Sequence, residues 1–430
     1  MIIYCFYRNI IYLKWRYSMF LLKSFLGDKY NRVNKIIDSY NNVQNNYINL
    51  EACCSYPFIN VLKAQEYPMF TLPTEGAVGE RFFPSFESMD DIDLYTEELV
   101  LKLLNIDKYE YGVCNQPHSG TQANQIVYNT ILNDGDVVLS LDPKSGGHIS
   151  HNKFLKNVRV INYGLTSEYL INYEQISNLA NKYKPKLIVV GASSYPNNID
   201  YKLISKIAHN NNSYIMVDAC HTILYIMAGL YSNPFPDVDF VTFSLEKVLR
   251  GPQGGILIYR KNLQKSISYS VFPLTQGGPL QSIQFAKLLC FVELSHTDIK
   301  KYASGVQHRA KLIGCKLNNN GIRTYSKDYK THILLVDVTP YKLTGSTAEQ
   351  LFFDNHMLVN KNQIPLDSLS PRIASGIRFG TTCISNLNYS DEDTSYLADS
   401  IVNLLLHSNV NKDIIEYLIE KYHKDTNIAN

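Results

Sequence analysis

The eight cysteines include no C-x-x-C pair and no ligand-like spacing to histidine, which argues against a zinc site or a disulfide framework. Cys53 and Cys54 are adjacent, a placement that suits neither an ordinary disulfide nor a zinc site. Free, mostly buried thiols in a reducing compartment are the expected state. A formal charge of +2 and the lack of any basic stripe interleaved with aromatics leave no electrostatic case for nucleic acid. No uncharged apolar run approaches the roughly 18 residues that a membrane span needs. No internal repeat is found. Acid is missing from the N-terminus: residues 1–27 carry Arg8, Lys14, Arg16 and Lys23 and no carboxylate before Asp28. That asymmetry fits an import segment, although serine is scarce there. The expectation is a mitochondrial presequence within an extension over 1–34. The competing reading is a poorly ordered or partly helical extension on a cytoplasmic protein.

The remaining composition is that of a folded protein. With 430 residues, 45% hydrophobic and 19% charged, the chain has room for one large domain and a smaller one. The 32 tyrosines, with abundant Asn, Ile and Lys, look like background coding bias, so single tyrosines carry little weight. Between about 95 and 260, short apolar runs alternate with amphipathic stretches. Helical spacing over 122–133, 173–183 and 200–211 is interleaved with strand-like runs at 136–141, 158–164, 186–194, 213–220, 239–244 and 254–260. This pattern predicts a mostly parallel sheet covered on both faces, with ligands at the carboxyl ends of its strands. A helical region over 281–318 precedes a second pattern: strand 331–339, helix 346–357, segment 375–382, and helices 391–407 and 412–423. The expected division is a large domain over 35–310 and a small α+β domain over 311–430.

The polar clusters fall at strand ends. TFSLEKVLRGPQGG (242–255) puts Lys247 between an apolar run and a glycine-rich turn, where a lysine can hold an aldehyde cofactor as a Schiff base; a lone loop lysine is more often a surface residue. PHSGTQAN (117–124) sets Ser119, Gly120 and Thr121 at a helix start. They suit a phosphate there, or serve simply as a helix cap. VDACH (217–221) ends a strand with Asp218 and His221. Its carboxylate suits a protonated ring nitrogen, a metal with too few ligands in view, or a turn cap. In SGGHISH (145–151) the glycine turn lets His148 approach a flat ligand. FPLTQGGPL (272–280) offers backbone N–H groups to an anion. SGIR (375–378) offers the Arg378 fork for a carboxylate.

In this chain order the pieces resemble serine hydroxymethyltransferase, a fold-type I pyridoxal phosphate enzyme. The resemblance spans about 35–425 through QPHSGTQAN, GGHISH, VDACH, EKVLRGPQGG, FPLTQGGPL, LVNKN and SGIRFGT. It implies an α/β fold-type I transferase that interconverts serine and glycine with tetrahydrofolate. Lys247 would hold the pyridoxal 5′-phosphate and Asp218 would pair with its ring nitrogen. His148 would stack on the ring, Ser193 and His221 would hold its phenolic oxygen, and Ser244 would join this set. Ser119, Gly120 and Thr121 would take the phosphate, with Gly277 and Gly278 arriving from a partner subunit, so a homodimer or tetramer is implied. Arg378, with Cys53 and Phe83 beside it, would receive the amino-acid carboxylate. Glu75 would handle the proton near the hydroxymethyl group, and Asn362 would face the folate.

Several positions depart from the family pattern. EACCSY puts Cys53 where the family has serine, Pro73 and Phe83 replace two tyrosines, and Glu246 and Gln253 replace histidine and arginine. Cys220 replaces an alanine under the ring. A carboxylate at 246 is expected to raise the Lys247 pKa. The alternative these departures imply is a catalytically impaired homologue that binds the cofactor, or an active paralogue, as a regulatory subunit.

Overall fold

The computed structural model describes residues 31–67, 69, 72–84, 87–152 and 155–424. The presequence expectation therefore lies outside the described residues. The central sheet has seven strands: β1 Tyr111–Cys114, β2 Val137–Leu141, β3 Arg159–Tyr163, β4 Leu187–Val190, β5 Tyr214–Asp218, β6 Phe240–Ser244 and β7 Gly255–Arg260. Their order across the sheet is β1-β7-β6-β5-β4-β2-β3, and only β7 runs against its neighbours. β4 and β6 are buried along their whole length, as expected for strands covered on both faces.

Helices cover the sheet. Preceding the sheet are α1 Asn31–Asn46, which begins inside the expected extension, and α2 Glu87–Leu104. After β1 comes α3 Gly120–Ile131, followed later by α4 Tyr173–Tyr183 and α5 Tyr201–Asn210. The starts are set by side-chain caps: Asn172 accepts from Gln175 N and Asp200 from Leu203 N. The apolar run expected as a strand over 186–194 stops at Val190. Gly191 follows with φ +149°, and a Cβ there would lie 2.3 Å from Asp218 O. Only glycine lets the two chains approach this closely, and the approach turns the next residues toward the β5 end.

Past the sheet, α6 Gln281–Ser295 packs on the large core, and α7 Ile299–Asn319 runs from that core into a second one. Val306 belongs to the first, Ile313 and Leu317 to the second. The second core surrounds a three-stranded antiparallel sheet of β8 Ile333–Asp337, β9 Asn360–Asn362 and β10 Gly376–Gly380, in the order β8-β10-β9. It is closed by α8 Gly345–Asp354, α9 Asp391–His407 and α10 Lys412–Ile419. Ile48, Leu50 and Tyr56 are part of this core too. Ile48–Asn49 pairs in parallel with Met357–Leu358, and Gly380 N donates to Leu50 O (2.7 Å). That pairing carries residues 51–56 onto the lysine loop, where Ser55 Oγ donates to the carbonyl of Glu246 (2.7 Å). No helix among the described residues is long and apolar enough to cross a membrane.

A lysine side chain sits wholly inside the large core. Lys287 of α6 donates through Nζ to the carbonyls of Asn115 (2.7 Å), Pro117 (2.7 Å) and Gly255 (3.0 Å). It thereby ties the end of β1 to the start of β7, just ahead of α3. Burial pulls this ammonium down to about 7, and the three carbonyls are the groups that satisfy its donors. Lys287→Met is expected to unfold about 2–4 kcal/mol more easily, because the carbonyls lose their donor in a dry setting. An unchanged urea midpoint would contradict this role.

Candidate active site

The carboxyl ends of β1, β2, β4, β5 and β6 converge on a cavity of about 240 Å³. Its wall brings together Ser119, Gly120 and Thr121 at the start of α3, His148 after β2, and Ser193 after β4. Asp218 and His221 at β5, with Ser244 and Lys247 at β6, complete it. These are the residues singled out from scattered motifs. Cys220, Glu246 and Gln253 face the same space, so three of the departures noted above sit in the wall. Ser119 serves as the α3 cap, its hydroxyl accepting from Gln122 N (3.1 Å). The helix thus presents its N-terminal N–H groups and the Thr121 hydroxyl to the cavity, a setting that favours an anion.

The floor is Asp218. Its Oδ2 accepts from Asn124 Nδ2 (2.9 Å) and His151 Nε2 (2.9 Å), and its Oδ1 from the Cys220 N–H (3.2 Å). Thr242 Oγ1 in turn donates to Asn124 Oδ1 (2.6 Å), which orients the amide toward the carboxylate. Burial works to raise the Asp218 pKa, but the His151 hydrogen bond and the Lys247 charge prevail and hold it well below the usual carboxylate range. Neither His151 nor Asn124 was singled out from the sequence. Both lie inside quoted motifs, and the one available signal was the His148-x-x-His151 spacing.

His148 and His221 are held neutral. Burial brings His148 down to about 4, and its Nδ1 lies 2.7 Å from Ser150 Oγ. His221 is likewise driven far down, by burial first and then by the Lys247 charge. Its Nδ1 stands 3.3 Å from His332 Nε2. Because the carbonyl of Ala52 can only accept, His332 Nε2 (2.9 Å away) carries the hydrogen, and Tyr225 OH donates to His332 Nδ1 (3.1 Å). His221 Nδ1 is then an acceptor and its Nε2 the donor. The His221 and His332 rings stack with centroids 5.4 Å apart. His332, on the other core, was not visible as a site residue in the sequence.

Lys247 is raised above an ordinary lysine. Burial lowers it, while Cys220, Asp218 and Glu246 push the other way and prevail. Burial keeps the Cys220 thiol protonated, so the two carboxylates supply the charge. The effect expected of Glu246 is present but shared with Asp218. Cys220 Sγ also crowds α3: a Cβ at Gly120 would come within 2.8 Å of it.

The other expected site residues stand off this wall. Arg378, on β10, borders it: Nη1 donates to the carbonyl of Ser193 (2.5 Å), and Nε and Nη2 to Asn360 Oδ1 (3.2 and 3.1 Å). Cys53 lies within electrostatic reach of Arg378 and Lys247. Asn362, on β9, donates through Nδ2 to the carbonyl of Gln363 (2.6 Å). Glu75 and Gly278 belong to a separate group in the single chain. A Cβ on Gly278 would sit 3.4 Å from the Glu75 carboxyl, and the carbonyl of Glu75 accepts from Phe82 N (3.1 Å). Gly277 has open space around it, Phe83 and Pro73 are exposed, and Phe82 packs edge-on against Phe272 at 5.1 Å.

Because the folded pKa of Asp218 lies below its unfolded value, its contribution to stability is complete above about pH 4 and is lost as pH falls toward the folded value. Asp218→Asn is therefore expected to give a flatter decline of unfolding free energy than the native chain below about pH 4. Parallel profiles in urea titrations would contradict the assignment.

Comparison with known proteins agrees with this geometry. The family model for serine hydroxymethyltransferase matches residues 26–401. The chain is 35% identical over 375 residues to the serine hydroxymethyltransferase of Methylobacillus flagellatus, an alignment covering 86% of this chain and 89% of that relative.

Proposed function

The chain belongs to the serine hydroxymethyltransferase family, and on that premise we propose that it interconverts serine and glycine, using pyridoxal 5′-phosphate and tetrahydrofolate as the one-carbon carrier. The observation that carries this reading is one cavity walled by a lysine amine, an ionised carboxylate and a helix N-terminus. Its donor set fits the cofactor. Ser244 Oγ is buried in its wall without a partner among the described residues and can donate to a bound group. The N-terminus of α3 suits a phosphate.

Pyridoxal phosphate, when bound, supplies an aldehyde for an amine and a protonated ring that spreads negative charge from the substrate α-carbon. The chain's own groups set up that chemistry. Lys247 Nζ is the covalent attachment point. Asp218, kept ionised, holds the proton on the ring nitrogen. Neutral His148 presents a flat ring to the cofactor, and His221 Nε2 and Ser193 serve its phenolic oxygen. Arg378 uses three of its five N–H donors on Ser193 and Asn360, leaving two for a substrate carboxylate beside Cys53. Glu75 holds or gives the proton of the hydroxymethyl group, and Asn362 with Phe82 receives the folate. The separation of Glu75, Phe83, Gly277 and Gly278 from the cavity of their own chain supports a homodimer or tetramer, in which this group serves a partner's cavity.

A second reading is favoured by specific positions. Pro73 and Phe83 carry no hydroxyl, and Glu246 and Gln253 occupy the cavity wall, so the chain can be a cofactor-binding homologue of low turnover or a regulatory partner of an active paralogue. Borohydride reduction after addition of pyridoxal phosphate is expected to leave one covalent adduct at Lys247 by peptide mass spectrometry, and none in Lys247→Ala. Failure to trap it would defeat both readings. Phe83→Tyr with Pro73→Tyr is expected to raise kcat/KM by about tenfold or more, the worth of one recovered hydrogen bond. No gain would remove the support that positions 73 and 83 lend to the low-turnover reading.

A further inference from the structure

Two groups of ligand-type side chains occur among the described residues, and one of them, His148, His151 and Asp218, is the floor of the cavity above. The other is Glu51, Cys53 and Cys54, whose ligand atoms all lie within 4.8 Å of one another. Sequence spacing argues against a metal at adjacent cysteines, but the folded turn changes that. Asn49 Oδ1 accepts from Glu51 N (2.9 Å) and the carbonyl of Glu51 from Cys54 N (3.3 Å), which curls the segment so that three side chains converge. The Cys53 and Cys54 sulfurs are 4.0 Å apart, and Cys54 Sγ is 3.4 Å from Glu51 Oε2. With metal–sulfur bonds of about 2.3 Å and metal–oxygen bonds of about 2.0 Å, tetrahedral edges measure about 3.8 Å between sulfurs and about 3.5 Å from sulfur to oxygen.

We propose that Glu51, Cys53 and Cys54 form a three-ligand site for one thiophilic divalent cation of the zinc class, beside Arg378 at the border of the lysine cavity. Binding converts two S–H groups to metal-bound thiolates and releases two protons to solvent. Two metal–sulfur bonds and one metal–oxygen bond form, with no change of oxidation state. Two thiolates, one carboxylate and a dication leave one net negative charge. The guanidinium of Arg378 lies within electrostatic reach of Cys53, Glu51 and Cys54 and offsets that charge. A three-ligand site keeps a fourth position for water or an exogenous anion. The site does not depend on the reading of the cofactor cavity.

The test uses the full chain, freed of metal by chelator and then titrated with zinc or cobalt chloride alone. One equivalent is expected to bind per chain, with cobalt giving thiolate-to-metal charge-transfer absorption. Cys54→Ser is expected to weaken binding about 100-fold and Glu51→Gln about tenfold. Should the variants misfold, the native chain decides: zinc is expected to slow alkylation of Cys53 and Cys54 tenfold or more while Cys315 reacts at its unprotected rate. No stoichiometric binding, retention of it in a Cys53→Ser/Cys54→Ser double variant, or equal protection of Cys315 would overturn the site.

Discussion

The buried carboxylate of Asp218 is the constraint around which the cavity is organised. A lone carboxylate at the end of a fully covered strand would be costly, and desolvation alone would protonate it. Three donors prevent that: Asn124 from α3, His151 from the loop after β2 and the backbone of Cys220. Each comes from a different segment, so the anion also positions the phosphate-side helix, the histidine loop and the β5 end relative to one another. Gly191 permits the close approach from β4. Charge, strand packing and cavity shape are thus one arrangement, and Lys247 receives its elevated pKa in part from the same carboxylate.

A second constraint works from behind. Lys287 reaches from α6 to three carbonyls at the junction of β1 and β7 and steadies the loop that leads into α3. Residues 48–56, far from the C-terminal half in sequence, are held by β10 and by the Met357–Leu358 segment, which is how Cys53 and Ser55 reach the lysine loop. The borders of the cavity therefore draw on both hydrophobic cores, with Arg378 and His332 contributed by the smaller one.

Much of this was legible in the sequence, for physical reasons. The apolar runs became β2 to β7 with boundaries within a few residues, most cleanly for β4 and β6, because strands covered on both faces must be continuously apolar. Helix ends at 173, 201 and 391 follow capping residues that announce themselves. The cavity residues could be named because they ride on strand ends and glycine turns. Other residues act through partners that periodicity does not encode. His151 meets Asp218 across 67 positions, and His332 meets His221 across 111. A lysine inside an apolar helix reads as an exposed one until its three carbonyls are seen. The short β1, with a glycine in four residues, left no strand signal. The metal-ligand geometry of Glu51, Cys53 and Cys54 depends on a turn that spacing rules do not anticipate.

The most direct measurement is the affinity of the full chain for pyridoxal 5′-phosphate, by spectral titration, in the native protein and in Asp218→Asn. If the ionised floor is what the cavity offers the cofactor, the amide variant binds at least tenfold more weakly, a loss of about 1.4 kcal/mol or more, while keeping its native circular dichroism. Equal affinity in a folded variant would contradict the central place given to that carboxylate.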